Sequence, residues 1–173
     1  MLTIKIVVGV ISSYFLFVEY SKIRSGNFKS KVFHYLSTVF IVAMHSNCLR
    51  DFAILIFRFR ITLAKALEGL SQFEGIINFV NNIVYSVLEL IIMYIGIGLI
   101  YRSEDARKLI IRYSIYLVPV ITIHVFMRAR QEHSDNLLAF FVLGLISSVT
   151  IYGLISYLYR QKFMVDFFDK KNF

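Results

Sequence analysis

Long apolar segments constrain this chain more than any other feature of its sequence. Five of them follow one another, at residues 2–20, 32–57, 76–101, 109–127 and 137–159. Each is close to the roughly 20 helical residues that cross a hydrocarbon core about 30 Å thick. Because lipid offers the backbone no hydrogen-bonding partner, such a segment must satisfy its own N–H and C=O groups as a helix. The segments are continuous rather than alternating over about ten residues, which favours helices over barrel strands.

We therefore predict an all-α fold, a polytopic transmembrane helical bundle of about five membrane-spanning helices, in one domain over residues 1–173. The number falls to four if the first or the second helix is peripheral or broken. The chain is 58% hydrophobic and 17% charged, whereas soluble domains have about 45–50% apolar and 25% charged residues. The first segment lacks the basic region and small-residue cleavage site of a signal peptide, so we expect it to remain as a membrane helix.

Residues 60–74 leave two interpretations open. Their apolar residues fall on one helical face, with Lys65, Glu68 and Glu74 on other sides. This pattern is typical of an amphipathic helix lying in the membrane interface. It is also typical of an extension of the second helix, which we favour because no Gly or Pro interrupts the chain between Arg50 and Glu68.

Lysine and arginine residues near the helix ends predict the orientation, because cytoplasmic loops carry an excess of both. Twelve lie on the side that includes the carboxyl terminus: Lys22, Arg24, Lys29, Lys31, Arg102, Arg107, Lys108, Arg112, Arg160, Lys162, Lys170 and Lys171. Six lie on the other side: Lys5, Arg58, Arg60, Lys65, Arg128 and Arg130. We predict an amino terminus outside, a carboxyl terminus in the cytoplasm, and residence in the bacterial inner membrane. Retention of these loops in the cytoplasm explains the net charge of +8 better than nucleic-acid binding does.

A polar stripe on the third segment is the most informative pattern within the apolar regions. Its members recur at steps of three or four residues and therefore share one helix face. They are Asn78, Asn82, Ser86, Glu89, Met93 and Gly96. A carboxyl group near the bilayer centre costs a few kcal/mol by insertion scales, so it usually faces protein or water. We predict that Glu89, Asn78, Asn82 and Ser86 either line a pore or contact partner helices.

The second segment carries His45, Arg50 and Asp51, which we add to this set of pore-lining or partner-contact residues. Arg50 and Asp51 are sequence neighbours, and on a helix their side chains diverge by about 100°. We therefore expect each to have a partner of its own, or to lie at the outer headgroup level. His45 and His124 reach similar depths in two parallel helices, which leaves them open as axial haem ligands.

Small residues predict where helices pack closely. Gly144 and Ser148 form a small-xxx-small element on the fifth segment. Gly96 lies near the end of the third segment, and we read it as a packing residue as well.

No catalytic motif is present: the sequence has no G-x-S-x-G, H-E-x-x-H or Walker loop. The single cysteine, Cys48, excludes an internal disulfide and a C-x-x-C metal site. We predict no enzymatic activity, no metal and no cofactor, apart from the haem alternative.

Three functions remain. The first is a non-catalytic integral membrane subunit that anchors or scaffolds a membrane complex through polar helix faces. The second is a homo-oligomeric ion or proton channel, or a membrane effector in stress or phage defence, lined by Asn78, Asn82 and Glu89. The third is a haem-carrying membrane anchor that uses His45 and His124. We favour the first, with the lipid bilayer, further copies of the chain or other membrane or cytoplasmic subunits as partners, and no nucleic acid.

Overall fold

The computed structural model of the protein describes residues 2–23, 27–68, 72–132 and 136–169. Within these ranges every regular element is an α-helix, which confirms the predicted all-α fold. The helices are α1 (Leu2–Ser21), α2 (Phe28–Met44), α3 (Cys48–Phe57), α4 (Phe59–Leu67), α5 (Gln72–Ile100), α6 (Glu104–Gln131), α7 (Leu137–Arg160) and α8 (Lys162–Phe168).

Five helical segments in the described part of the chain are long and apolar enough to cross a membrane. They are Leu2–Ser21, Phe28–Phe57, Phe73–Ile100, Glu104–Arg130 and Leu137–Arg160. Large apolar side chains are exposed along them, for example Phe17 on α1, Tyr94 on α5 and Leu143 on α7. In water such a surface is a liability, whereas in lipid it is the solvated surface. The protein is thus a multi-pass membrane protein.

The second segment differs from the single helix that the sequence predicts over 32–57. Helix α2 ends at Met44, residues 45–47 form a turn, and α3 begins at Cys48. At the turn, the Ser46 hydroxyl donates to the carbonyl of Ala43 at 2.9 Å. Ser and Asn side chains compete with the backbone for helical hydrogen bonds in this way, so Ser46 and Asn47 disfavour a continuous helix.

The extension predicted beyond the second segment is also interrupted. Helix α3 ends at Phe57, and Arg58 has φ −116° and ψ 29° before α4 begins. The backbone N–H of Arg58 still donates to the carbonyl of Ile54, so the interruption is a single distorted residue. No Gly or Pro marks it, which is why the sequence pattern does not reveal it. Residues 69–71 of the predicted stretch lie outside the described residues, and residues 72–74 belong to α5.

The chain divides into two compact units. Unit 1 comprises Met1–Asn47, Ile91–Ser114 and Leu154–Phe173, and unit 2 comprises Cys48–Leu90 and Ile115–Gly153. The boundaries fall inside α5, α6 and α7, so each of these helices contributes residues to both units. The single-domain organisation stays a prediction.

Each unit has an apolar core. In unit 1, Leu16 of α1, Val42 of α2 and Ile100 of α5 are buried together, with partly buried neighbours at Val8, Tyr20, Val39 and Met93. In unit 2, Leu55 of α3 contacts Phe79 of α5, and the Phe59 ring meets the Phe79 ring edge-on at 5.0 Å between centroids. In both units these contacts join α5 to helices from the earlier part of the chain.

Candidate functional site in unit 2

The polar stripe of α5 is directed inward. Glu89 is only 5% exposed, Asn78 is 2% exposed and Ser86 is also buried, whereas Asn82 is half-buried. Burial in a single chain means that protein, rather than lipid, covers most of this face. Whether these residues line a pore or contact partner helices stays a prediction.

Glu89 is held by a neighbour on its own helix. Tyr85 lies four residues earlier, which brings its side chain onto the same face, and its hydroxyl donates a hydrogen bond to the Glu89 carboxylate. The carboxylate is also close enough to interact electrostatically with His124 of α6 and Tyr152 of α7. Three helices of unit 2 thus place polar side chains around one buried acid. We call Asn78, Asn81, Tyr85, Glu89, His124 and Tyr152 the unit 2 polar cluster.

His124 is placed by stacking. Its imidazole lies over the Tyr85 ring with 3.9 Å between centroids and 8° between planes. The imidazole Nδ1 is buried and has no hydrogen-bond partner among the described residues. The same holds for the side-chain nitrogens of Asn78 and Asn81 within the described ranges. Buried polar atoms are nearly always hydrogen-bonded, so such atoms call for a specific explanation.

The small residues of α7 contact α6. The Ser148 hydroxyl lies 3.1 Å from the Thr122 hydroxyl, and a Cβ on Gly144 would meet the Val125 side chain at 3.4 Å. Gly96 lies against α2 in unit 1, where an added Cβ would meet Val42 at 2.8 Å. The approach is tighter than an ordinary contact at Gly96, and the packing role of Gly144 and Ser148 stays a prediction.

Arg50 and Asp51 correct the prediction that each has a separate partner. The Arg50 guanidinium reaches the same carboxylate oxygen of Asp51 from Nε at 2.8 Å and from Nη2 at 2.6 Å. The two residues lie in the first turn of α3, and the long arginine side chain curls back across the angle between them. The side chains remain 45% and 31% exposed. The alternative position at the outer headgroup level stays a prediction.

His45 belongs to unit 1. It caps the carboxyl end of α2 in unit 1, where its side chain is buried and its backbone N–H donates to the carbonyl of Ile41. Because His45 belongs to unit 1 and His124 to unit 2, the shared haem site stays a prediction. Within the described ranges, no three His, Cys, Asp or Glu side chains form a group that could hold a metal ion.

A second polar network, in unit 1, was not among the predicted site residues. His34 of α2 is fully buried, and its Nδ1 lies 3.0 Å from the hydroxyl of Tyr159 on α7. The same hydroxyl lies 2.8 Å from the Ser37 hydroxyl. Helix α8 covers this network with Phe167 and Phe168, whose rings lie 5.3 and 5.1 Å from the imidazole. The only sign of this network in the sequence was that His34 lies four residues before Thr38, on the same helix face.

Two arginines form further contacts within unit 1. Arg107 of α6 forms paired contacts with Glu104 at 2.6 and 2.7 Å, and it donates to the carbonyl of Tyr159 in the last turn of α7. A cation is favourable at that helix end. Arg102 is buried with φ 51°, and its guanidinium carbon lies 4.2 Å from the centroid of the Phe167 ring. Burial lowers the pKa of the Arg102 guanidinium, and Glu19 opposes that shift. In the sequence, Arg102 and Arg107 served only as basic residues that predict the orientation of the chain in the membrane.

Three of the basic residues used to predict orientation, Arg24, Lys170 and Lys171, lie outside the described residues. The chain matches no protein-family model, no curated protein and no solved structure.

Proposed function

We propose that the protein is a non-catalytic integral membrane subunit that anchors or scaffolds a membrane complex. In this proposal it resides in the bacterial inner membrane, with the amino terminus outside and the carboxyl terminus in the cytoplasm. Polar groups on α3 make the contact with a companion chain. The buried groups of the unit 2 polar cluster do not take part in this contact.

The observation that carries the proposal is the partial exposure of the Arg50–Asp51 ion pair on an apolar segment. Leu49, its neighbour in the chain, is 73% exposed, so this surface faces outward. Ionised side chains on an outward surface of a membrane segment require water, headgroups or a polar partner. Arg50 retains donor capacity because a guanidinium has five N–H groups and two of its nitrogens serve Asp51.

The distribution of mass supports the same role. In this proposal the Arg50–Asp51 pair lies at the level of the outer headgroups. Outside the five long apolar segments, the described part of the chain adds only turns and the short helices α4 and α8, so little surface exists for recognition outside the membrane. Helix α1 buries only Ser12 and Leu16, which leaves most of its circumference to lipid or partner helices.

The test is recovery of companion chains with the full-length protein after gentle detergent extraction from its native membrane. We expect a companion in fixed stoichiometry by native mass spectrometry. Replacing the pair by Arg50→Gln and Asp51→Asn removes both charges and keeps polar side chains at both positions. Recovery should fall about tenfold, which corresponds to about 1.4 kcal/mol.

Arg128 and Glu132 provide the matched control, because they form another exposed ion pair, at 3.1 Å. Arg128→Gln with Glu132→Gln should leave recovery unchanged. Equal recovery from the Arg50/Asp51 variant would refute the proposed contact. A purified ring of identical chains that conducts ions in liposomes would replace the subunit proposal by the channel alternative, in which Asn78, Asn82 and Glu89 line the path.

A further inference from the structure

The unit 2 polar cluster contains a titratable acid that the subunit role does not require. Glu89 is buried in a membrane-spanning helix, and the Tyr85 hydroxyl donates to its carboxylate. Apolar side chains of similar volume hold helices together as well as buried ionisable groups do. Structural packing alone therefore gives no reason for an acid at this position, and intramembrane acids commonly mark proton or ion sites.

A second titratable group lies beside the acid. Tyr85 bridges the two groups, because its hydroxyl serves Glu89 while its ring stacks on the imidazole of His124. The imidazole Nδ1 is buried and has no hydrogen-bond partner in the described ranges. An imidazole nitrogen in this position can hydrogen-bond a water molecule beside the acid.

Donors along α5 extend the polar track away from the acid. The side-chain nitrogens of Asn78 and Asn81 are buried and have no hydrogen-bond partner within the described residues. Asn78, Asn81, Tyr85 and Glu89 follow one another at steps of three or four residues, so neighbours are separated by about one helical turn of 5.4 Å. Buried water typically makes about three hydrogen bonds to polar groups of this kind. The spacing is short enough for single waters to connect one side chain to the next.

We propose that Glu89, Tyr85 and His124 form a hydrated proton-exchange site inside unit 2, in which Glu89 binds and releases the proton. A hydronium ion gives its proton to a carboxylate oxygen of Glu89 and leaves as water, and release is the reverse. Tyr85 keeps its own proton and orients the carboxyl group. Asn78 and Asn81 hold the water that reaches it. The proposed companion contact at Arg50 and Asp51 uses other side chains and is tested by a different measurement.

Other charged and titratable groups act on the same region. Helix α3 contributes Cys48 and Asp51, helix α6 contributes Arg128 beside His124, and helix α7 contributes Tyr152. Asp51 and Arg128 therefore have to remain in place when the site is tested. The informative substitutions are those that change Glu89 or its hydrogen bond and leave these neighbours intact.

The test is infrared difference spectroscopy of the full-length protein in lipid vesicles while the pH of the medium is changed. We expect a carbonyl stretch of a protonated carboxyl group that depends on pH and shifts in D₂O, because water reaches the site. The band should be absent from Glu89→Gln. It should move to higher frequency in Tyr85→Phe, because the carboxyl group loses a hydrogen bond. Glu132→Gln, which removes an exposed carboxylate, should leave the band unchanged.

Two results would overturn the proposal. One is a pH difference spectrum of Glu89→Gln that equals the spectrum of the unsubstituted protein over the pH range in which both proteins are folded. The other is an unchanged band in Tyr85→Phe, a variant that retains the carboxyl group and serves as the test if Glu89→Gln does not fold. Recovery of companion chains is a separate measurement. A negative infrared result therefore leaves the subunit proposal standing, and unchanged companion recovery leaves the proton-exchange site standing.

Discussion

Gly96→Ala tests the closest helix approach in unit 1. Gly96 lies on α5 where the helix meets α2, and a Cβ at this position would stand 2.8 Å from Val42 Cγ2 and 3.3 Å from Ile41 Cγ2. Ordinary contacts between such atoms begin at 3.4 Å, so the Val42 methyl group would have to withdraw by about 0.6 Å, the difference between the two distances. Val42 and Ile41 are both buried.

The neighbours have little freedom to withdraw. Both are β-branched residues in a helix, where one χ1 rotamer is strongly preferred, and close-packed interiors transmit such a displacement. Overpacking of this kind costs about 1–3 kcal/mol. Alanine regains up to about 1 kcal/mol through its higher helix propensity. We expect a net destabilisation of about 1–2 kcal/mol.

The measurement is thermal unfolding of the purified protein in detergent micelles, followed by near-ultraviolet circular dichroism of the tyrosines. A change of this size lowers the Tm by about 2–8 °C for a chain of this length. Gly153→Ala is the matched control, because a Cβ on Gly153 meets nothing within 4 Å. Its Tm should stay the same or rise.

Equal melting temperatures for Gly96→Ala and the unsubstituted protein would refute the close approach of α5 to α2. A fall in the Tm of Gly153→Ala as large as that of Gly96→Ala would show that loss of glycine itself, rather than contact with Val42, causes the change.

Three further substitutions address the remaining contacts, each measured by the same thermal unfolding. Tyr159→Phe removes the hydroxyl that lies 3.0 Å from His34 Nδ1 and 2.8 Å from Ser37; we expect a loss of about 1–3 kcal/mol, and an unchanged Tm would contradict the buried network. Phe168→Ala removes a ring that is 1% exposed and should cost about 3–5 kcal/mol of stability. Proteolysis after Gln161 should also become faster, and resistance to proteolysis equal to that of the unsubstituted protein would show that α8 is held by other contacts. Ser148→Ala breaks the contact with Thr122 but should cost only about 0.6 kcal/mol, so a loss above about 2 kcal/mol would contradict this account of α6 and α7.

Hydropathy alone was sufficient for the number and approximate positions of the membrane segments. The five predicted segments correspond to the five long apolar helical segments of the described chain. Periodicity was also sufficient to group Asn78, Ser86 and Glu89 on one face. Both properties are local: transfer from water to lipid depends on the residues of one segment, and the direction of a side chain depends on its position along one helix.

Contacts between distant parts of the chain account for what the sequence pattern missed. The interruption at residues 45–47 and the distorted residue Arg58 leave the apolar pattern unbroken, so hydropathy does not register them. Arg50 reaches Asp51 because a long, flexible side chain overrides the divergence of neighbouring positions on a helix. The stacking of His124 on Tyr85 and the cover that α8 provides over His34 join residues far apart in sequence. Such contacts depend on how helices pack against one another, and in lipid that packing depends on side-chain shape and on hydrogen bonds between helices.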